Sequence, residues 1–457
     1  MHVLAIVFVW TTTMPALIVI GPVALNFYKV VLLIALVPAL VTCIGSPTIR
    51  LGAIELFLFL YCVWAAVCFS YNHGLGNSVE PIGVIFLQTC GAFLLAKAGC
   101  RTMAQFKRIL RHIMYALTLM LPFVIIENLT EISPIREVFK ILFPIGSGVI
   151  DKRLELTRVA AGFAHPILFG VFSAFALGAV WFAFKRMRPL FVPLIAYSTF
   201  ASLSSGALIV LALQILLISW YYLTQFLQGS IPFLRKRWQM LVMVAIAMYI
   251  SIDILSNRTP FHVATTYLSF NSTSAYNRIL IWEHGTANVA NNPIFGLGFR
   301  DWVRPAWMVS SVDNYWLLRA MRFGLPGVTF LVIALVIYLW SLLRVDLPRG
   351  SHAAEVRRGY AISLVAFCLA GGTVDFFGSI DPLFLFFCGM GAWFYAAQAG
   401  RPRIKAGQEI PKPHDEAPTD AMPGIAAEEL PDEQPTADPG PHSPEPPKRG
   451  PTIRTYP

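Results

Sequence analysis

The sequence predicts an all-α integral membrane protein with about 12 transmembrane helices, and three observations carry that reading. Apolar residues make up 56% of the 457 residues and charged residues only 13%, against about half and about a quarter in soluble domains. Twelve apolar runs approach or exceed the length needed to cross a bilayer, about 20 helical residues. Basic residues gather in alternate connections between those runs, as a fixed orientation requires.

The runs fall near 3–22, 28–45, 52–70, 81–98, 112–127, 162–184, 189–204, 206–225, 239–256, 324–343, 360–376 and 380–398. The first has no basic flank before it and no cleavage signal after it, so it reads as a span and not as a secretory leader. Ser204, Ser205 and Gly206 separate two runs that a single broken helix would also explain. With the N-terminus inside, the short connections on that side carry Arg50, Lys97, Arg101, Lys107, Arg108, Arg111, Lys185, Arg186, Arg188, Arg235, Lys236, Arg237, Arg344, Arg349, Arg357 and Arg358. The short opposite connections 71–80 and 371–381 carry no Lys or Arg. Both termini are therefore expected in the cytoplasm.

Beyond Ala399 the apolar runs stop and 14 of the 32 prolines are concentrated. Such a segment has too little apolar surface to offset its ordering entropy, and 399–457 is expected to be a disordered cytoplasmic tail. The formal charge of +10 resides in the membrane body, which holds 28 Lys and Arg against 15 Asp and Glu, while the tail is net acidic. The inner cations are dispersed as orientation signals, which argues against a nucleic-acid role.

The remaining cations are different. Apart from Lys29 they occupy two longer outer segments, 128–161 and 257–323, and most are arginines, the side chain whose planar fork grips phosphate oxygens in pairs. Plain solubility is the bland explanation; an outward-facing site for an anionic lipid head group is the sharper one. The seven cysteines lie in or beside apolar runs without paired spacing and read as buried apolar residues. His165, His262 and His284 show no metal-ligand spacing, and Gly296-Leu-Gly298 lacks the third glycine of a dinucleotide loop.

Asn277-Arg-Ile-Leu-Ile-Trp opens a helical segment with Ile279, Trp282 and Ala287 near one face, which breaks at Asn291-Asn-Pro293. Pro293-Ile-Phe-Gly-Leu-Gly-Phe299 follows, then Val312-Asp-Asn-Tyr-Trp and Arg322-Phe-Gly-Leu-Pro-Gly327. Upstream stand Arg158-Val-Ala-Ala-Gly-Phe-Ala-His165 and Ser202-Leu-Ser-Ser-Gly206. In these motifs the chain resembles the superfamily of O-antigen ligases and Wzy-type O-antigen polymerases. It departs from the ligase pattern at Asp313, where ligases carry His, and at Ser205, where many members carry Arg. Those departures favour a polymerase over a ligase.

The resemblance implies a metal-independent, GT-C-like membrane glycosyltransferase in a bacterial inner membrane, without a cofactor. It would move a glycan from an undecaprenyl-diphosphate carrier to a glycan acceptor on the periplasmic face, among chain-length regulator or export proteins. It places Arg158 and Arg278 on the diphosphate, with Arg319 and Arg322 as further diphosphate ligands. Asp313 is the first candidate for the acceptor's proton and His165 the second. Each has a plainer alternative: ion pairs with Asp151, Glu155 or Glu283 for Arg158 and Arg278, snorkelling for Arg319 and Arg322, a helix cap for Asp313, a turn for His165. Two other classes stay open. Glu55, Glu127, Asp253 and Asp375 in or near spans suit a transporter, and the tail suits a scaffold.

Overall fold

The structure is a computed structural model that describes residues 1–399 except 21–22, 147, 149–150, 154, 229–236, 258, 269–271 and 349. The proline-rich segment and Arg235, Lys236, Arg258 and Arg349 lie outside the described residues.

The first apolar run does not form one span. α1 (His2–Thr11) stops early, and an antiparallel hairpin of β1 (Leu17–Ile20) and β2 (Val23–Asn26) follows. The hydroxyls of Thr11, Thr12 and Thr13 donate back to carbonyls of the last turn, and Pro15 cannot continue a helix. Then come α2 (Phe27–Gly45), α3 (Ala53–His73) and α4 (Leu75–Phe86), which passes through a π-helical turn, Leu87–Gly91, into α5 (Ala92–Gly99). α6 (Met103–Thr130), α7 (Pro134–Leu142), the short hairpin β3 (Lys152–Arg153) and β4 (Leu156–Thr157), α8 (Pro166–Ala174) and α9 (Leu177–Ala183) complete the first half. The second half holds α10 (Arg188–Ala201), α11 (Ser205–Leu227), α12 (Arg237–Leu255), α13 (Pro260–Leu268), α14 (Ser272–Asn291), α15 (Tyr315–Leu343), α16 (His352–Ala370), α17 (Ile380–Met390) and α18 (Ala392–Ala399).

Among the described residues, eight helical segments are long and apolar enough to cross a membrane: α2, α3, α4 with α5, α6, α8 with α9, α11, α12 and α15. The other four expected runs take shorter or more charged forms. α1 has ten residues and α10 fourteen, α17 and α18 are separated by a turn at Gly391, and α16 begins with Glu355, Arg357 and Arg358. The chain is a mostly helical, multi-pass membrane protein without a closed sheet.

The core gathers on α8, α9 and α17, where almost every side chain is buried. The break between α8 and α9 frees backbone groups that an apolar interior cannot leave unpaired. Gln214 of α11 supplies their partners. Its oxygen accepts from the Gly178 amide at 2.9 Å and from the Ser363 hydroxyl at 2.9 Å, and its nitrogen donates to the Ala174 carbonyl at 2.7 Å. The acidic residues of the transporter alternative serve the fold in two cases. Glu55 pairs with buried Lys97 and accepts from the Gly52 amide, and Glu127 holds a loop described below. Cys62 and Cys90, unpaired by spacing, meet as thiols with 3.6 Å between sulfurs.

Candidate functional site

The loop 158–165 is fixed from beneath. The buried Glu127 carboxylate accepts the amides of Ala160 at 2.7 Å and Ala161 at 3.2 Å, and Ser133 donates to the Ala161 carbonyl at 2.9 Å. Arg136 donates to the carbonyls of Phe163 and Gly146. Ala161 is held at φ +50°, a conformation that such a ring of contacts can over-determine. Gly162 has no substitute here, since a Cβ would stand 2.1 Å from the Thr13 carbonyl oxygen.

This scaffold presents Arg158 and His165. Arg158 is 4% exposed; its Nη1 pairs with Asp151 at 2.5 Å and its Nε donates to the Ser202 carbonyl at 3.3 Å. Its buried Nη2 has no hydrogen-bond partner among the described residues. The expected ion pair with Asp151 is therefore present and still leaves one edge of the fork for a ligand. His165 caps α8: its Nδ1 accepts the Ile167 amide at 3.1 Å, which puts the ring proton on Nε2. Burial and the neighbouring Arg158 push its pKa down to about 4, so the ring is neutral at ordinary pH.

Arg278 enters from α14. Its Nη2 donates to the Ser205 hydroxyl at 3.2 Å, at the first turn of α11. The α14 face turned inward carries Ala275, Arg278, Ile281, Gly285 and Asn288, while Trp282 and Ala287 of the expected apolar face are exposed. Gly285 explains the choice, for a Cβ there would lie 2.7 Å from Leu317 of α15. Asp313 stands just before α15. It does not cap that helix: the cap is Asn314, whose oxygen accepts the Leu317 amide at 3.0 Å. Burial lifts the Asp313 carboxyl above the usual range against the pull of Arg278 and, more weakly, Arg158. Residues from three separated motifs thus share one electrostatic neighbourhood.

Arg319 and Arg322 are placed by a kink. Gly324, at φ +65°, interrupts α15 and leaves the preceding carbonyls without helical partners. The Gly296-Leu-Gly298 turn supplies them: the Leu297 amide donates to the Met321 carbonyl at 2.7 Å and the Gly298 amide to the Arg322 carbonyl at 3.0 Å. Both glycines sit at φ +61°, and a Cβ on Gly296 would meet the Arg322 carbonyl at 2.6 Å. The end of α3 clamps the other side, where His73 Nε2 accepts the Phe299 amide at 2.9 Å and the Asn72 carbonyl accepts from Arg300 at 2.7 Å.

Arg319 is buried and pairs with Asp381 at 2.7 Å, and Tyr315 donates to the other Asp381 oxygen at 3.0 Å. Arg322 lies over the Phe299 ring, 5.1 Å from its centroid. Two cavities adjoin it, of about 320 and 520 Å³. Asp313 and the 297–302 turn line the smaller, Arg319 and Asp381 line the larger, and Arg322, Asp375, Phe299 and Phe377 border both. Asp375 lies in the connection between α16 and α17, where burial raises its carboxyl to about 6 against the opposing fields of Arg319 and Arg322.

The six residues singled out in the sequence therefore fall into two sets. Arg158, His165, Arg278 and Asp313 form one; Arg319 and Arg322 form the other, and the smaller cavity joins them through Asp313 and Arg322. Snorkelling does not describe Arg319, which is buried against Asp381. The acids that answer these arginines, Asp375 and Asp381, carried no motif. Their only signal was a carboxylate in an otherwise apolar stretch. Among the described residues no cluster of three His, Cys, Asp or Glu has the arrangement to hold a metal ion.

No curated protein matches the chain. Residues 189–332 match the model of the O-antigen ligase family, Wzy_C. That stretch spans α10 to the middle of α15 and contains Ser205, Arg278, Asp313, Arg319 and Arg322. Over this stretch the chain is similar to the O-antigen ligase family, in agreement with the resemblance its motifs carry.

Proposed function

We propose that the protein polymerises lipid-linked repeat units of an O-antigen or exopolysaccharide, taking the growing glycan from undecaprenyl diphosphate on the periplasmic face of a bacterial inner membrane. The observation that carries this reading is the convergence of Arg158, Arg278 and Asp313 from three distant motifs into one buried, net basic neighbourhood. The reading keeps both termini and the 399–457 tail in the cytoplasm, as the basic connections require.

In this mechanism the acceptor hydroxyl oxygen attacks the anomeric carbon, its proton passes to Asp313, and the bond from that carbon to the diphosphate oxygen breaks. The charge that grows on the leaving diphosphate meets the open edge of the Arg158 fork and the Arg278 guanidinium. One well-aimed donor of this kind is worth about 3–4 kcal/mol. A raised carboxyl pKa makes Asp313 a stronger base while ionised. His165, neutral with its proton on Nε2, serves as a hydrogen-bond donor in the same site. Arg319 and Arg322, expected as further diphosphate ligands, already have their charge answered by Asp381 and Asp375, so this reading leaves the diphosphate to Arg158 and Arg278.

Ligase-type transfer to another acceptor is the second reading, and Asp313 at the ligase histidine position counts against it. The test is a deletion strain carrying the intact gene or an Arg278→Ala version at equal level, with its surface and lipid-linked glycans resolved by length. Single repeat units in both the deletion and the variant support the polymerase. Long chains retained on the carrier mean a ligase, and an unchanged ladder in both strains removes glycosyl transfer altogether.

A further inference from the structure

We infer that the larger cavity is a subsite for a neutral sugar residue of the glycan, read by the polar stripe of α4. This deepens the glycosyl-transfer reading and rests on it for the glycan.

Four observations point the same way. First, α4 and the π-helical turn belong to a segment apolar enough to cross a membrane, yet Asn77, Glu80 and Gln88 line the cavity along one side of it. Gln88 lies inside that segment, where a polar residue is costly unless it faces a cavity with a task, while Asn77 and Glu80 stand in its first turns. Second, Gln88 lies within the π-helical turn Leu87–Gly91, a distortion that re-aims a side chain and recurs at functional sites. Its nitrogen donates to the Tyr28 hydroxyl at 3.4 Å.

Third, the rim is aromatic. Phe299 and Phe377 border the cavity and are 55% and 40% exposed. Exposed ring faces beside amides and a carboxylate suit a pyranose, which offers C–H faces for stacking and hydroxyls that both donate and accept. The volume of about 520 Å³ falls in the range of small-ligand sites, about 300–1,000 Å³.

Fourth, the cavity has no excess of positive charge. Arg319 and Arg322 share it with three carboxyl groups, those of Asp381, Asp375 and Glu80, so no net positive field remains to prefer a phosphate or an acidic sugar. That contrasts with the surroundings of Arg158 and Arg278, where Arg153 adds a third cation. A sugar held here reaches the smaller cavity, and Asp313, across the shared border of Arg322 and Asp375.

The test is saturation-transfer NMR on the full chain in nanodiscs, with the methyl glycosides of glucose, galactose, mannose and N-acetylglucosamine as probes, and methyl glucuronide as the acidic control. At least one neutral glycoside is expected to give a signal that inorganic pyrophosphate does not displace. Asn77→Ala and Gln88→Ala are each expected to weaken it by about fivefold, the loss of one neutral hydrogen bond. Glu80→Gln, nearly isosteric, keeps the test valid should the alanine variants misfold. Arg278→Ala is expected to retain the signal while losing glycan synthesis, which separates failure of the subsite from failure of the proposed reaction. No signal from any neutral glycoside, displacement by pyrophosphate, or a signal indifferent to both Gln88→Ala and Glu80→Gln overturns the inference.

Discussion

The Arg278 guanidinium donates to the Ser205 hydroxyl at 3.2 Å, a hydrogen bond that joins α14 to the first turn of α11. Ser205 sits where many members of the superfamily carry a second arginine. In this chain a small hydroxyl there holds the Arg278 guanidinium instead.

Arg278→Ala is expected to lower glycan synthesis by about 10²- to 10³-fold, the loss that follows removal of one aimed donor. Arg278→Lys keeps the charge and loses the fork, and is expected to recover only part of the activity. Product per unit of membrane-inserted protein, measured on a length-resolved gel, checks both.

The pH dependence has a definite sign. Asp313 accepts a proton only when ionised, and its carboxyl is raised above the ordinary range. Activity is therefore expected to be full above that pKa and to fall as pH drops through it. His165, at about 4, is neutral at ordinary pH, so a limb due to Asp313 is expected to persist in His165→Asn. Asp313→Asn removes both the activity and the limb. Asp375 is also raised, to about 6, and Asp375→Asn shows whether it shapes the profile. Initial rates against pH in reconstituted membranes decide.

His165→Ala deletes the cap of α8 and is expected to cost about 1 kcal/mol of stability, whereas His165→Asn keeps an acceptor at the same place. Thermal unfolding in detergent, followed by the same pair's activity, separates the cap from any role of Nε2.

Asp381→Ala strips Arg319 of its partner inside the protein, and breaking such a pair costs about 3–5 kcal/mol. The variant is expected to unfold well below the parent. The double replacement Arg319→Met with Asp381→Leu is expected to recover most of that stability, because no unpaired buried charge remains.

Gly296→Ala is expected to disturb the site without disturbing the spans. Its φ of +61° disfavours alanine, and the new Cβ would press on the Arg322 carbonyl. A strain of about 1–3 kcal/mol should appear as lost synthesis with normal membrane insertion, read by quantitative immunoblot beside the glycan gel.

Composition and hydropathy were enough to read an all-α membrane protein, and the order of motifs was enough to name residues that the fold brings near one another. Other features left no trace in a linear pattern. The run 3–22 counts as a span by hydropathy, but three successive threonines satisfy the end of α1 and Pro15 turns the chain. On α14 the apolar periodicity pointed to Ile279, Trp282 and Ala287, whereas the inward face includes Arg278, Gly285 and Asn288. That face is chosen by how closely α15 approaches at Gly285, which no hydropathy scale records. Asp375 and Asp381 were visible only as acids out of place, because their meaning depends on Arg319 and Arg322 arriving from a helix far away in sequence.

The kink at Gly324 makes α15 two levers on one axle. Its first nine residues are tied by backbone bonds to the Gly-x-Gly turn and through it to the end of α3, while the remainder runs on through the bundle. An arginine on the short lever keeps its aim when the long lever shifts, and bilayers of different thickness can tilt the span without dragging the reaction chamber along.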